Sequence, residues 1–127
     1  MTITQGTTLS YERTFTREDV DRFAELSGDR GTHHRLGSGD GRLLVHGLLT
    51  ASLPTKLGGD IDYIAADMHF DFVSAVYIGD TIRCELRIDE VIAGERKSRV
   101  RLSGVCTNQN GAEVMRFNSR GLIREAR

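Results

Sequence analysis

No apolar run in this chain is longer than a few residues, which is far short of a membrane span. The opening stretch, MTITQGTTLSYER, also lacks the charged-then-apolar build of a secretory signal. Neither sign of charge dominates: 17 basic and 18 acidic residues are interspersed, for a formal net charge of -1. Without a basic block there is no case for a nucleic-acid partner, and without an acidic tail none for a solvating arm. Only two cysteines occur, Cys84 and Cys106, both in strand-like patterns without metal-type spacing. They read as small buried apolar side chains in a reducing cytoplasm rather than as a disulfide or a reactive thiol. There is no internal repeat and no low-complexity segment. What is present is ordinary: 39% hydrophobic and 28% charged residues in 127, enough for one domain, 1–127, with a real core.

The periodicity changes halfway along the chain. Thr16 and Asp19 make a capping box, Val20, Phe23 and Ala24 recur at helical spacing, and Gly28 supplies a stop; these predict a helix over about 17–27. Residues 28–45 carry Gly28, Gly31, Gly37, Gly39 and Gly41 and read as loop. A second helix over about 46–57 is apolar or small on nearly every side, which predicts burial. The chain's one proline, Pro54, lies in its second half and predicts a kink or a relaxed final turn.

From Asp62 onward the pattern alternates. Met68, Phe70 and Phe72 oppose Asp67, His69 and Asp71; Ile82, Cys84, Leu86 and Ile88 oppose Arg83, Glu85, Arg87 and Asp89. Val100 and Leu102 oppose Arg99 and Arg101, while Met115 and Phe117 share a face with Ile123 across a break at Gly121. These are antiparallel strands with one wet face, turned at Gly79-Asp80, Ala93-Gly94 and Asn110-Gly111. A one-sided sheet and one apolar helix are best reconciled by curling the sheet around the helix. That is an α+β hotdog fold. Its edge strands commonly pair between subunits, so a homodimer or higher homo-oligomer is expected.

The segment from Ser27 to Gly47, SGDRGTHHRLGSGDGRLLVHG, concentrates the chemistry. Asp29 stands five residues before His34, and both side chains can move protons near neutral pH. His46-Gly47 then opens the second helix, whose first amides suit an oxygen that gains negative charge. Asp67, His69 and Asp71 share a strand face but read as solvated exterior rather than as metal ligands. Arg96, Lys97, Arg99 and Arg101 could steer phosphates, or simply be a charged sheet exterior.

FAELSGD, His34 five residues after Asp29, VHGLLTASL and DFVSAVYIGDTI together resemble the MaoC-like hydratases and dehydratases, a family that includes (R)-specific enoyl-CoA hydratases. The resemblance runs from about Phe23 to the end. It implies that Asp29 and His34 hold the water that adds across a 2-enoyl thioester, one removing its proton and the other delivering a proton to the α-carbon. It implies that the Gly47 amide binds the thioester carbonyl, that His46 and Thr55 belong to the substrate site, and that no metal or organic cofactor takes part. The substrate would be an acyl-CoA or acyl-carrier-protein thioester, hydrated or, in reverse, dehydrated. Two departures are visible: Gly31-Thr32 and a second histidine, His33, fill the interval where Asn-Pro is usual, and the connection from His34 to His46 is several residues shorter. Residues 35–45 hold too few apolar residues for a covering helix, which predicts a less enclosed acyl pocket on that side.

A hotdog thioesterase is the main alternative, but it commonly carries a carboxylate on or at the start of the central helix. No acidic residue lies between Val45 and Gly59. A non-catalytic acyl-thioester-binding subunit is the other alternative, whereas a regulator would need a DNA-binding segment that is absent here.

Overall fold

The computed structural model describes residues 3–35 and 42–124. Its elements in chain order are β1 (Thr8–Thr14), α1 (Arg17–Ser27), α2 (Thr32–Arg35), α3 (Gly47–Thr50), α4 (Ser52–Asp60), β2 (Tyr63–Phe72), β3 (Thr81–Ala93), β4 (Lys97–Thr107) and β5 (Glu113–Arg124). The five strands form one antiparallel sheet in the order β1-β3-β4-β5-β2.

Helix α1 follows its sequence signals closely. The Thr16 hydroxyl accepts from the Asp19 amide while the Asp19 carboxylate accepts from the Thr16 amide, and Gly28 closes the helix at φ 81°. Val20 and Ala24 form its buried face.

The central helix divides into α3 and α4 at Ala51. Pro54 has no N–H to give to the Thr50 carbonyl one turn earlier, so the relaxation falls before the proline rather than in the final turn. α4 also runs to Asp60, past the expected end at 57, with Lys56 and Asp60 paired at 2.6 Å one turn apart. It packs on β1, β3 and β2 through a buried face that includes Leu53, Pro54 and Leu57. The helix is nevertheless not buried all round. Leu48 is 64% exposed and Thr55 also faces outward.

β3, β4 and β5 alternate as expected, with Ile82, Cys84, Leu86, Ile88, Val100, Leu102, Met115 and Phe117 in the core. Cys84 and Cys106 are buried, free and directly opposite one another across β3 and β4. Their mutual hydrogen bond and burial push the Cys84 thiol far above its ordinary pKa, which keeps it unreactive. Three expectations need correction. Thr8–Thr14, unassigned in the sequence, is an edge strand on β3. Gly121 does not break β5; the Ile64 carbonyl oxygen and the Tyr63 ring take the space its side chain would fill. And β2 is an open edge rather than a half-buried strand, with Ile64, Met68 and Phe72 about half exposed. Among the described residues, no helix is long and apolar enough to cross a membrane.

Candidate active site

α1 ends at Gly28, and the chain then turns through Asp29 into the single helical turn α2. Asp29 Oδ1 accepts the Gly31 amide at 3.1 Å, and the Asp29 amide donates to Ser27 Oγ at 3.0 Å, so the loop fixes its own carboxylate. The turn of α2 swings His34 inward, where it is 5% exposed. His34 Nδ1 lies 2.8 Å from the Leu44 carbonyl oxygen. A carbonyl can only accept, so Nδ1 carries a proton, and the neutral ring then presents its lone pair at Nε2. That Nε2 faces Asp29 Oδ2 at 3.6 Å. The gap is too long for a direct hydrogen bond but small enough for one water to donate to both.

The Gly31 amide, followed by the neighbouring His34, His46 and His33 imidazoles, holds the Asp29 carboxyl below its ordinary pKa against a smaller opposing effect of desolvation. Asp29 is therefore a carboxylate throughout the neutral range.

The pair opens into a cleft of about 510 Å³ floored by Gly47 and Thr50 and walled by Phe72 and Val114. Gly47 lies against Phe72: a Cβ there would come within 2.9 Å of its ring, which would have to shift to make room. Its amide is one of the first in the helix and has no intrahelical acceptor. Asp29, His34 and Gly47, three of the five residues singled out from the sequence, thus meet at one cleft.

The other two stand elsewhere. His46 is behind the site, 2% exposed, and its Nε2–H donates to the Asp29 backbone carbonyl at 2.9 Å. Its ring stacks on His34 at 3.7 Å between centroids and packs against Phe23. It positions both members of the pair without lining the cleft. Among the described residues its Nδ1 has no partner. Thr55 lines a separate apolar pocket, and its hydroxyl donates to the Ala51 carbonyl at 3.2 Å. The sequence reading missed the Leu44 carbonyl, which no side-chain pattern can signal, and Phe72, whose place in the β2 alternation was visible but whose contact with Gly47 was not.

Asp29, His34 and His46 offer ligand atoms within 4.8 Å of one another, a spacing that a metal could use. The two imidazoles, however, are stacked at 20° between planes. Their in-plane lone pairs run nearly parallel, so one ion cannot lie in both ring planes at coordination distance. Asp67, His69 and Asp71 are exposed on the outer face, Asp67 paired with Arg120. Of the shortened loop, residues 35–45, positions 36–41 lie outside the described residues.

His33 also borders the cleft, exposed and with its ring centroid 4.0 Å from that of His34. Its interval from Asp29 is one residue short, and no hydrogen bond holds its ring among the described residues. His33→Ala should therefore change any activity of the cleft by less than about threefold, whereas His34→Ala is expected to cost far more. A severe loss in His33→Ala would shift the catalytic assignment by one residue.

No protein-family profile matches the chain. A 3-hydroxybutyryl-CoA dehydratase from Methylorubrum extorquens is 31% identical over 121 residues, which cover 87% of this chain and 73% of that protein. The R-hydratase of Pseudomonas aeruginosa superposes with a TM-score of 0.87 at 22% identity, covering 98% of this chain and 84% of that one. A MaoC-like dehydratase from Rhodospirillum rubrum superposes with a TM-score of 0.78 at 16% identity, covering 98% and 95%. The two superpositions establish the hotdog fold. Taken with the sequence relative, they show that the chain belongs to the family of MaoC-like hydratases and dehydratases.

Proposed function

We propose that this protein hydrates 2-enoyl thioesters, and dehydrates 3-hydroxyacyl thioesters in reverse, with the (R) configuration at the hydroxyl-bearing carbon. The observation that carries this reading is the facing of Asp29 Oδ2 and His34 Nε2 at 3.6 Å over the start of the central helix. Its relatives are named as a 3-hydroxybutyryl-CoA dehydratase and an R-hydratase, which fits a coenzyme A or carrier-protein thioester.

The Gly47 amide would receive the thioester carbonyl, drawing electrons from the β-carbon and stabilising the enolate that forms. A water donating to Asp29 and His34 attacks that β-carbon. Its proton passes to the pair, and the pair returns a proton to the α-carbon, so the enzyme ends with the protonation it began with. His34, locked in one tautomer by Leu44, contributes a base of fixed direction. Neither step draws on more than these groups.

The open β2 edge, with Ile64, Met68, Phe72 and Val73 exposed, supports pairing with a second copy of the chain. Light scattering on the purified protein would show a dimer or larger species, and a strict monomer would remove that part. The chemistry is tested with crotonyl-CoA, following loss of the enoyl absorbance and resolving the product by chiral chromatography, beside a free-thiol assay. Thiol release without loss of the enoyl group would favour a thioesterase, and neither signal would leave only binding.

A further inference from the structure

Two cavities lie end to end along the central helix, and no residue lines both. The catalytic cleft takes Thr50, Phe72 and Val114, while a largely apolar pocket of about 200 Å³ takes Pro54, Phe70 and Phe117. On helix, β2 and β5 alike the boundary falls at the same level. Strand alternation puts Phe70 and Phe72 on one side of β2, the side facing the helix, and their rings stack with centroids 6.3 Å apart.

The two rings differ in freedom. Phe70 is half-buried and stands directly opposite the buried Phe117 on β5. Phe72 is 54% exposed near the end of an open edge strand, resting on Gly47. Within a single chain, turning Phe72 aside gives up little buried surface, whereas moving Phe70 would disturb the core; in a dimer paired along β2, the second copy must leave room for that turn. Beyond the pair, the pocket has few free polar groups. The Ser119 hydroxyl donates to the Asp67 carbonyl at 2.7 Å, so the Tyr63 hydroxyl, 2.7 Å from Ser119 Oγ, donates to it in turn. With those donors spent, the pocket suits hydrocarbon.

We propose that the Phe70–Phe72 pair sets the acyl specificity of this protein, confining short chains to the catalytic cleft and admitting longer linear chains to the apolar pocket only when Phe72 turns aside. This rests on the enoyl-thioester reading above. It places selectivity on β2, whatever the short loop leaves open on the other side.

The test compares the parent protein, Phe72→Ala, Phe72→Leu and the double variant Phe72→Ala/Met68→Phe, whose second change refills the pocket. Calorimetry gives the affinity of saturated four-carbon and eight-carbon acyl-CoAs, and kinetics give kcat/KM for the matching 2-enoyl-CoAs. The parent should favour the short chain. Phe72→Ala should raise the eight-carbon to four-carbon ratio about tenfold or more in both measurements, Phe72→Leu less, and Met68→Phe should reverse the gain. A ratio that stays within about twofold of the parent in both Phe72 variants overturns the proposal, as does a gain that survives the refilled pocket. If the parent binds acyl-CoA but hydrates none, the functional reading fails while the binding ratios still judge the partition. No acyl-CoA binding by the parent overturns both.

Discussion

Asp29→Asn and His34→Ala should each lower kcat/KM for crotonyl-CoA by roughly two to four powers of ten, with the double variant little worse than either. The reason is geometric. Oδ2 and Nε2 lie 3.6 Å apart, and in the proposed mechanism removing either would leave the attacking water oriented by one acceptor instead of two. Losses that simply multiply would contradict a shared water, and a fully active single variant would remove that residue from the mechanism. Stability distinguishes the two sites. The Asp29 side chain is over half exposed, so its asparagine variant should melt close to the parent, whereas His34 is buried against His46 and its alanine variant should melt lower. The pH dependence carries a sign as well. Because Asp29 titrates below the usual carboxylate range, it keeps its charge as pH falls, and its contribution is lost only on passing through that depressed value. A rate that declines with a midpoint at or above the ordinary carboxylate pKa therefore does not report protonation of Asp29.

The second large effect belongs to the sheet. Gly104→Ala is expected to cost about 2–3 kcal/mol of stability or more, because the new methyl has nowhere to go. Its Cβ would lie 2.2 Å from Cζ of Phe117 and 2.3 Å from the Glu85 carbonyl oxygen. The ring could swing, but the carbonyl is backbone in the neighbouring strand, where Leu86 pairs with Gly104. For a domain of this size the melting temperature should fall by roughly 10 °C. Ser103→Ala, on the other face of β4, should change stability by no more than about 0.5 kcal/mol. A Gly104→Ala protein that melts with the parent would mean that β3 and Phe117 yield together. The glycine thus lets Phe117 cover β4, and Phe117 in turn supports Phe70.

What could be read from the sequence follows how local the signals are. Thr16, Asp19 and Gly28 act within a few residues of themselves, and α1 came out with the expected ends. The cores of β3, β4 and β5 were legible because one face is dry along most of their length. β1 was not: only Leu9 and Tyr11 in it are partly buried and apolar, since it is an edge strand with little core to cover. β2 misled in the opposite way, because the inner face of Met68, Phe70 and Phe72 borders cavities rather than packed core. At the site, the Asp29–His34 interval and the glycine of the His-Gly pair, Gly47, survive folding as one cleft. The packing of His46 behind the pair and the placement of Thr55 in the second pocket depend on long-range packing, which one-dimensional spacing does not carry.

The Leu44 carbonyl that fixes the His34 tautomer is itself held by main chain. The Leu44 amide donates to the His33 carbonyl at 3.1 Å, and Leu44 bridges to Tyr77, with Val45 donating to Val76 and Ile78 to Leu43. The tautomer of the His34 imidazole is therefore written in backbone register rather than in any side chain. Exchanging Leu44 for most residues leaves that acceptor in place, while adding or deleting a residue within the anchored stretch 43–45 would slide a different carbonyl, or none, under Nδ1. Drift by substitution at this position is cheap, and drift in register is not.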